Sequence, residues 1–347
     1  MDPTVVVEGV PPGEVRSSSI DAYTFSTDLY PITKGSFGNF PVSYLMQGAN
    51  GPCPLLALCN ILLFRDVLSL PAELTEITFE SLVGKLANIL IDKNKAADTD
   101  DTLRAILDMS VGLLGSLNKG LDVDVTFNSI DGFEYTDAMS IFDLLDIHVY
   151  HGWVVSEDDL CSYPYMCQIS YNKALVKLTE YEDLKSKVLN GLEVSTLSPV
   201  NRQIIEEGEA ISKWLTENST QLTSDGVIQL NSALGDATNP LAVLFRNNHF
   251  SVLCKHNGKL YSLVTDIGFK NTNVMWESLD QLDGDVSFVD YDFNPVQGGA
   301  RPVETDYDMA MRLQYAGNRT TSIAVPPRNV TTISRPYSRN QKCCTIM

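Results

Sequence analysis

The pattern of apolar and polar positions divides the chain into helical segments and shorter segments typical of strands. Apolar residues recur at helical spacing in several runs, and a charged loop at 92–101 separates two of them. Asp101 or Thr102 can cap the helix that follows this loop. Helices are predicted at 54–64, 73–91, 102–117, 202–218 and 224–234.

Strand-like runs lie mostly late in the chain and carry alternating or β-branched apolar residues. Asn257-Gly258 is a strong signal for a two-residue hairpin turn between two of these runs. Because most helices precede most strands, the pattern favours an α+β fold over a doubly wound sheet. The predicted strands are 123–127, 165–171, 241–246, 250–255, 260–265 and 286–291.

The chain is predicted to form one globular body at 22–295. The segment 1–21 is rich in Pro, Gly and Ser, is expected to be flexible, and lacks the basic and apolar regions of a secretory signal. A linker at 296–303, a short helix at 304–317 and a disordered basic tail at 318–347 are predicted to follow. No run of about 20 apolar residues indicates a transmembrane span.

Charge is distributed unevenly along the chain. The formal net charge is −19, yet the segment from Met309 onward contains six basic residues and no acidic one. An acidic body repels bulk nucleic acid, so a nucleic-acid partner is not expected. The contrast between an acidic body and a basic tail indicates two different partners.

The seven cysteines favour a reduced, cytosolic setting. Their number is odd and their spacing irregular, which does not fit a disulfide framework. Cys161 and Cys167 lack the short spacing typical of zinc ligands, so no metal and no other cofactor is predicted. His148 and His151 lie in apolar surroundings and are expected to have structural roles.

The most informative stretch is QGANGPCP at 47–54, which precedes the first predicted helix. Two glycines and a proline allow a sharp exposed turn, and Pro54 suits the first turn of a helix. Cys53 is therefore predicted at a helix N-terminus, where unpaired N–H groups favour the reactive thiolate. The alternative is a buried, inert cysteine, a description that fits Cys59 inside the apolar run.

Gln47 is a candidate for the oxyanion hole. A loop of this length can fold back, so that the Gln47 amide and the backbone N–H of Cys53 point to the same place. Loss of one such donor typically lowers the rate by about 10²–10³.

A cysteine nucleophile needs a base, and His249 is the best candidate among the four histidines. It opens a strand-like run, whereas His256 lies beside the predicted hairpin turn and is expected at the surface. If Asn257 and Gly258 are the two turn residues, the register places Asp266 opposite His249. Asp266 is then a candidate to orient the imidazole; the alternative is that it shapes the turn before Ile267-Gly268.

Taken together, these segments resemble the MINDY family of deubiquitinases. Asp283-Gly284-Asp285, Asp290 and Phe293 continue the match, which covers most of 22–295. The matching stretches are QGANGPCPLLALCN at 47–60, FEYTDAMSIFDLLDIHVYHGWV at 133–154, LFRNNHFSVL at 244–253 and LYSLVTDIGFKNTNVMWESL at 260–279.

This resemblance implies a papain-like cysteine peptidase fold, with the nucleophile at a helix N-terminus and the histidine on a late antiparallel sheet. It implies that Cys53, His249 and Gln47 are the catalytic cysteine, histidine and oxyanion-hole glutamine. Gly48 departs from the asparagine that the family commonly has after that glutamine. The implied substrate is ubiquitin, in chains that are preferentially linked through lysine 48.

The segment 306–314 looks like a ubiquitin-interacting helix of the kind this family often carries. Met309, Ala310 and Leu313 share one helical face, and Asp306 favours the helix N-terminus. The small Ala310 would let the apolar patch of ubiquitin approach closely. The alternative is a short amphipathic helix docked on its own domain.

The last four residues fit a prenylation box, with Cys344 as a farnesyl acceptor. Stable anchoring takes a second signal, which palmitoylation of Cys343 or the basic tail would supply. The alternative is a chance ending on a disordered tail. We therefore expect a cytoplasmic protein that is partly membrane-associated.

These observations predict a deubiquitinase that hydrolyses the isopeptide bond after the terminal glycine of ubiquitin. Two other hypotheses stay open at this stage. One is a non-catalytic reader of ubiquitin chains, and the other is an unrelated thiol acyltransferase or amidase with the same cysteine and histidine.

Overall fold

The computed structural model describes residues 29–38, 40–48, 51–235, 240–279 and 287–296. The predicted N-terminal segment, the C-terminal helix and the tail lie outside these residues. None of the helices in the described ranges is long and apolar enough to cross a bilayer. The predicted site residues that lie outside are Asp306, Met309, Ala310, Leu313, Cys343 and Cys344.

The described residues form a mixture of helices and short strands. The helices are α1 (Cys53–Phe64), α2 (Phe79–Lys93), α3 (Asp101–Leu113), α4 (Ser140–Leu144), α5 (Tyr163–Met166), α6 (Tyr171–Leu189), α7 (Pro199–Glu217) and α8 (Ser224–Ala233). The strands are β1 (Leu29–Phe37), β2 (Phe40–Leu45), β3 (Glu76–Thr78), β4 (Val149–Tyr150), β5 (Leu241–Arg246), β6 (His249–His256), β7 (Lys259–Leu263), β8 (Trp276–Ser278) and β9 (Phe288–Val289). Short 3-10 segments include Leu114–Lys119 and Ile267–Phe269.

The strands form two sheets. The smaller has the order β2-β1-β3, and the larger has the order β4-β5-β6-β7-β8-β9. All neighbours in the larger sheet are antiparallel except β4 and β5. The α+β class is confirmed, although the first sheet begins at residue 29, so the expectation that strands come late holds only for the larger sheet.

Helix α1 lies in the middle of the hydrophobic core. Residues 54–63 are all buried, because the sequence is apolar on every side of the helix. The helix packs against β6 of the larger sheet and β2 of the smaller one. The nucleophile candidate at its first residue is therefore held by both sheets.

The larger sheet carries a different apolar cluster on each face. Phe250, Val252 and Cys254 of β6 belong to the main core around α1. Leu253 belongs to a second cluster that includes Leu230 of α8. This alternation along β6 is the period-two pattern of a strand covered on both faces.

Several predicted elements are corrected by the structure. The strand predicted at 165–171 is wrong, because this stretch contains the end of α5 and the start of α6, where the Ser170 hydroxyl accepts from Lys173 N–H. The segment 123–127 forms only isolated bridges through Val125 and Thr126. The cap of α3 is the carboxylate of Asp100, which accepts from two N–H groups of the first turn. Helix α6 and the β1–β2 hairpin were not predicted.

Candidate active site

A cavity of about 440 Å³ opens where α1 begins beside the end of the larger sheet. The four residues predicted from the sequence, Cys53, His249, Gln47 and Asp266, all line this cavity. They come from three places in the chain: the loop before α1 together with its first residue, the first residue of β6, and the segment after β7. The tertiary structure thus brings the predicted residues together.

The sheet opens at this point because β7 leaves β6. The register of the β6–β7 hairpin follows the prediction from His256↔Lys259 to Leu253↔Ser262 and then ends. Beyond it, the Thr265 carbonyl accepts from Gln47 N–H at 2.6 Å, and Ile267 N–H donates to the Gln47 carbonyl at 2.9 Å. The backbone after β7 therefore pairs with Gln47, where it would otherwise pair with β6.

This exchange of partners corrects the predicted register for Asp266. Asp266 forms a parallel bridge with Gln47 instead of pairing with His249. Its carboxylate accepts from Gly268 N–H at 2.6 Å and caps the 3-10 segment Ile267–Phe269. The turn-shaping role given as the alternative is thus present in the structure, and an orienting role toward His249 stays a prediction.

Cys53 is the first residue of α1, as predicted, with Pro54 in the first turn. Its half-buried thiol lies near the backbone N–H groups of Phe250 and of Cys53 itself, which lower the pKa of the thiol. Burial is the larger effect, and it raises the pKa of Cys53 above its ordinary value. The net shift favours the neutral thiol over the thiolate that the helix N-terminus predicted.

The position of Phe250 N–H follows from the geometry of the sheet. Arg246 and His249 flank a two-residue turn and form the last pair of β5 and β6. In such a hairpin this pair is hydrogen-bonded, so the next N–H of β6 points away from β5. The departure of β7 leaves that N–H facing the space into which the Cys53 thiol projects.

His249 is partly exposed at the start of β6. Loss of water around the ring lowers the pKa of His249 from 6.5 to about 4, so the imidazole is neutral at physiological pH. A neutral imidazole can accept a proton from a thiol, which is what a general base must do. Within the described residues, no hydrogen bond holds the His249 ring.

The Gln47 side chain is engaged within its own loop. Its Nε2 donates to the Gly51 carbonyl at 3.0 Å. A Cβ atom at Gly51 would lie only 2.8 Å from Cγ of Gln47, so glycine is needed for this close approach. This bond uses one of the two N–H donors of the amide, and the Cys53 N–H donates to the same carbonyl at 2.9 Å.

Asn60 supports the framework of the site, and sequence reasoning missed it. It is fully buried in α1, its Oδ1 accepts from Leu45 N–H at 2.7 Å, and its Nδ2 donates to the Leu45 carbonyl at 3.1 Å. Both bonds fix the segment that leads to Gln47 against the helix that carries Cys53. The available signal was a single amide side chain within an otherwise apolar helix.

The hairpin turn just before His249 was not predicted either. Asn247 and Asn248 both have positive φ, 51° and 59°, as a type I′ hairpin requires. An Asn-Asn pair between two apolar runs was the signal, because asparagine tolerates this conformation better than most residues. Among the described residues, no group of three or more His, Cys, Asp or Glu side chains could hold a metal ion.

Comparison with known proteins identifies a family that this chain matches. The model of the MINDY deubiquitinase family matches residues 28–293. Ubiquitin carboxyl-terminal hydrolase MINDY-1 of Danio rerio is 34% identical over 290 residues, which cover 78% of this chain and 52% of that protein. Ubiquitin carboxyl-terminal hydrolase MINDY-2 of Homo sapiens is 36% identical over 291 residues, covering 80% of this chain and 44% of that protein. The chain spans about half the length of the curated relatives that it matches.

Proposed function

Because the chain belongs to the MINDY deubiquitinase family, we propose that it is a thiol-dependent deubiquitinase. It hydrolyses the isopeptide bond after the C-terminal glycine of ubiquitin. The observation that carries this proposal is the cavity that Cys53 at a helix N-terminus shares with the neutral imidazole of His249.

The two groups start the reaction as a neutral pair. His249 takes the proton of the Cys53 thiol as the sulfur attacks the glycine carbonyl carbon, which forms a C–S bond and a tetrahedral oxyanion. Collapse of this intermediate breaks the C–N bond, and the imidazolium returns its proton to the leaving lysine amine. Water, deprotonated by His249, then attacks the thioester and releases the ubiquitin carboxylate and the Cys53 thiol.

The oxyanion is stabilised by N–H groups at the start of α1 and by the Gln47 amide. The Gln47 amide has a second N–H donor besides the one bound to the Gly51 carbonyl. Its backbone is already fixed at the cavity by two hydrogen bonds to the segment after β7.

The proposed fold is papain-like. Two features support this assignment: the nucleophile begins a buried helix, and the histidine begins a strand of the antiparallel sheet on which that helix packs. The three strands of the smaller sheet lie before and after α1 in sequence, and one of them, β2, packs on the helix.

The proposed substrates are polyubiquitin chains, with a preference for lysine-48 linkages. The family resemblance supports this preference, and the acidic body suits a basic partner surface. The helix proposed at 304–317 would bind a further ubiquitin through Met309, Ala310 and Leu313. Asp306 would favour the start of this helix.

We also propose lipidation of the C-terminal tail, with a farnesyl group on Cys344 and a palmitoyl group on Cys343. The basic residues of the tail would add attraction to anionic lipid, and the protein would divide between cytosol and membrane. Intact-mass spectrometry of the protein from a eukaryotic host would test this, since an unmodified terminus contradicts it.

Replacement of the nucleophile tests the proposed activity. With a panel of defined ubiquitin chains, the wild type is expected to release ubiquitin and Cys53→Ala to release none, because no other group forms the thioester. Cys161→Ala, which removes an exposed thiol elsewhere, serves as the matched control and should cleave normally.

A ubiquitin probe with a reactive C-terminal group separates the enzyme from a non-catalytic reader. The enzyme forms a covalent adduct through Cys53, whereas a reader binds chains without forming one. Cleavage by Cys53→Ala at the wild-type rate would contradict the assignment of the nucleophile.

A further inference from the structure

The turn that carries His249 is held from outside its own sheet. Asn247 and Asn248 occupy the two central positions of the turn, between the paired residues Arg246 and His249. In a two-residue hairpin, the N–H of the first central residue is not used by the strand ladder. Because Asn247 is 3% exposed, that N–H needs a partner within the protein.

Gln221 supplies this partner. Its side-chain oxygen Oε1 accepts from Asn247 N–H at 2.7 Å, and Gln221 itself is only 8% exposed. One residue earlier, Thr220 O accepts from Arg246 Nε at 2.8 Å. Two successive residues of the loop between α7 and α8 thus bind two successive residues of the turn.

The loop that carries Gln221 is itself firmly attached. Gln221 has a φ of 55°, and its N–H donates to the Asn218 carbonyl at 3.0 Å. Leu222 bridges Gly152, and the Thr223 hydroxyl donates to the Val154 carbonyl at 2.8 Å. The Gln221 side chain therefore acts from a fixed point on the body of the protein.

We propose that Gln221 is a positioning residue for the reaction, which holds the Asn247–Asn248 turn so that His249 stays in the cavity beside Cys53. This inference rests on the proposed function. Among the described residues, no hydrogen bond fixes the His249 ring, so its place depends on the backbone of the turn. Gln221 lies 26 positions before Asn247 in the sequence, and Asn247 is two residues before His249.

Release of the turn is expected to change both the position of His249 and its contact with water. A displacement of about 1 Å at a reacting group costs up to about 10²-fold in rate. Greater access of water would raise the pKa of His249 from about 4 toward 6.5. The ionisable groups that line the same cavity are Cys53, Lys119, Arg246, Asp266 and Glu277.

The test compares three variants of the full chain on a fluorogenic amide of single ubiquitin. Gln221→Met keeps the length of the side chain and removes the acceptor, whereas Gln221→Glu keeps an oxygen that can accept from Asn247 N–H. Gln203→Met makes the same chemical change at an exposed position of α7 and is the matched control.

We expect Gln221→Met to lower kcat by about tenfold or more without changing KM, since the turn is displaced while the remaining cavity persists. Its activity should also fall earlier as the pH is lowered from 8 to 5, because a base with a raised pKa is protonated at higher pH. Gln221→Glu should recover most of kcat at pH 8, where its ionised carboxylate accepts from Asn247 N–H, and Gln203→Met should match the wild type at every pH.

A purely structural role predicts a different result. Gln221→Met would then lower the unfolding temperature, while kcat per folded molecule and the pH profile would equal those of the wild type, and the proposal would be overturned. Alkylation of Cys53 by iodoacetamide across the same pH range reports on His249 without ubiquitin. Absence of cleavage by the wild type would contradict the proposed function, whereas equal cleavage by the wild type and Gln221→Met would contradict only this inference.

Discussion

Burial determines the protonation of both candidate catalytic groups. The pKa of Cys53 is raised and the pKa of His249 is lowered, in each case mainly because the charged form loses water. Both shifts favour a neutral thiol beside a neutral imidazole. The N–H groups of Phe250 on β6 and of Cys53 at the helix start only reduce this rise in the pKa of Cys53.

This neutral pair predicts that the rate is retained to a lower pH than an ordinary histidine base would allow. His249 must be neutral to act as a base, and its pKa of about 4 keeps it neutral well below pH 6. On single-ubiquitin substrate, kcat/KM should therefore change little as the pH falls from 7.5 to 5.5. With an ordinary histidine pKa of 6.5, the neutral fraction and hence the rate would fall by about tenfold over this range.

This prediction can be tested only if the protein stays folded over the same pH range. The buried ring of His151 also has a pKa lowered to about 4, so the unfolded chain binds more protons below pH 6.5 and stability decreases as the pH falls. Circular dichroism at each pH provides the control. A tenfold loss of kcat/KM at pH 5.5 in a folded sample would contradict the neutral-pair state.

At the scale of elements, the site depends on how α1 is joined to the strand segment that leads to Gln47. Asn60 makes this connection through both amide atoms, which take the place of a neighbouring strand for Leu45. The amide is fully buried, so its two bonds are not exchanged for bonds to water. Asn60 thus links the helix that carries Cys53 to the strand segment that leads to Gln47.

Removal of this side chain should destabilise the protein. Asn60→Ala leaves the buried N–H and carbonyl of Leu45 without partners, and we expect the free energy of unfolding to decrease by about 2–4 kcal/mol. Urea unfolding followed by circular dichroism measures the change. Asn201→Ala, at a partly exposed position in the first turn of α7, is the control and should change the stability by less than about 0.5 kcal/mol.

A second variant at the same position gives a stricter check. Asn60→Asp keeps an acceptor for Leu45 N–H but places a carboxylate against the Leu45 carbonyl. Its loss of stability should be larger at pH 7 than at pH 4.5, relative to the wild type at each pH, because protonation restores a donor. Equal stability of Asn60→Ala and the wild type would show that water replaces the amide.

At the scale of the whole molecule, the described body contains the cavity, and the proposed chain-binding helix lies beyond it in sequence. Ala310→Gly combined with Leu313→Ala removes apolar contact from one face of that helix. This double variant should bind long ubiquitin chains several-fold more weakly than the wild type, while its rate on a single-ubiquitin substrate stays the same.

A titration of labelled chains of increasing length measures this difference, with the rate on single ubiquitin as the internal control. Unchanged affinity for long chains would contradict a role of the helix in binding ubiquitin. A loss of rate on single ubiquitin would instead indicate that the helix docks on the body.

Local turn chemistry explains which parts of the fold could be predicted. Asn257-Gly258 sets the start of the β6–β7 hairpin, and its register is followed for four pairs because each pair fixes the next. The prediction failed at Asp266, where Gln47 competes for the backbone of the diverging strand. The pairing partner of this backbone lies far away in the sequence, and nothing near residue 266 indicates it.

The sequence by itself determined that Cys53 begins a helix and that His249 lies at the start of a strand, as well as the α+β class and the family resemblance. These features depend on local signals: a Gly-Pro turn before an apolar run, an apolar alternation and a hairpin turn. Only the tertiary structure decided the protonation states of Cys53 and His249. It also decided the contact of the Gln47 amide with Gly51 and the contacts of Asn60 and Gln221. They depend on burial and on hydrogen bonds between segments far apart in the chain, and such pairings are not encoded in the pattern of any one segment.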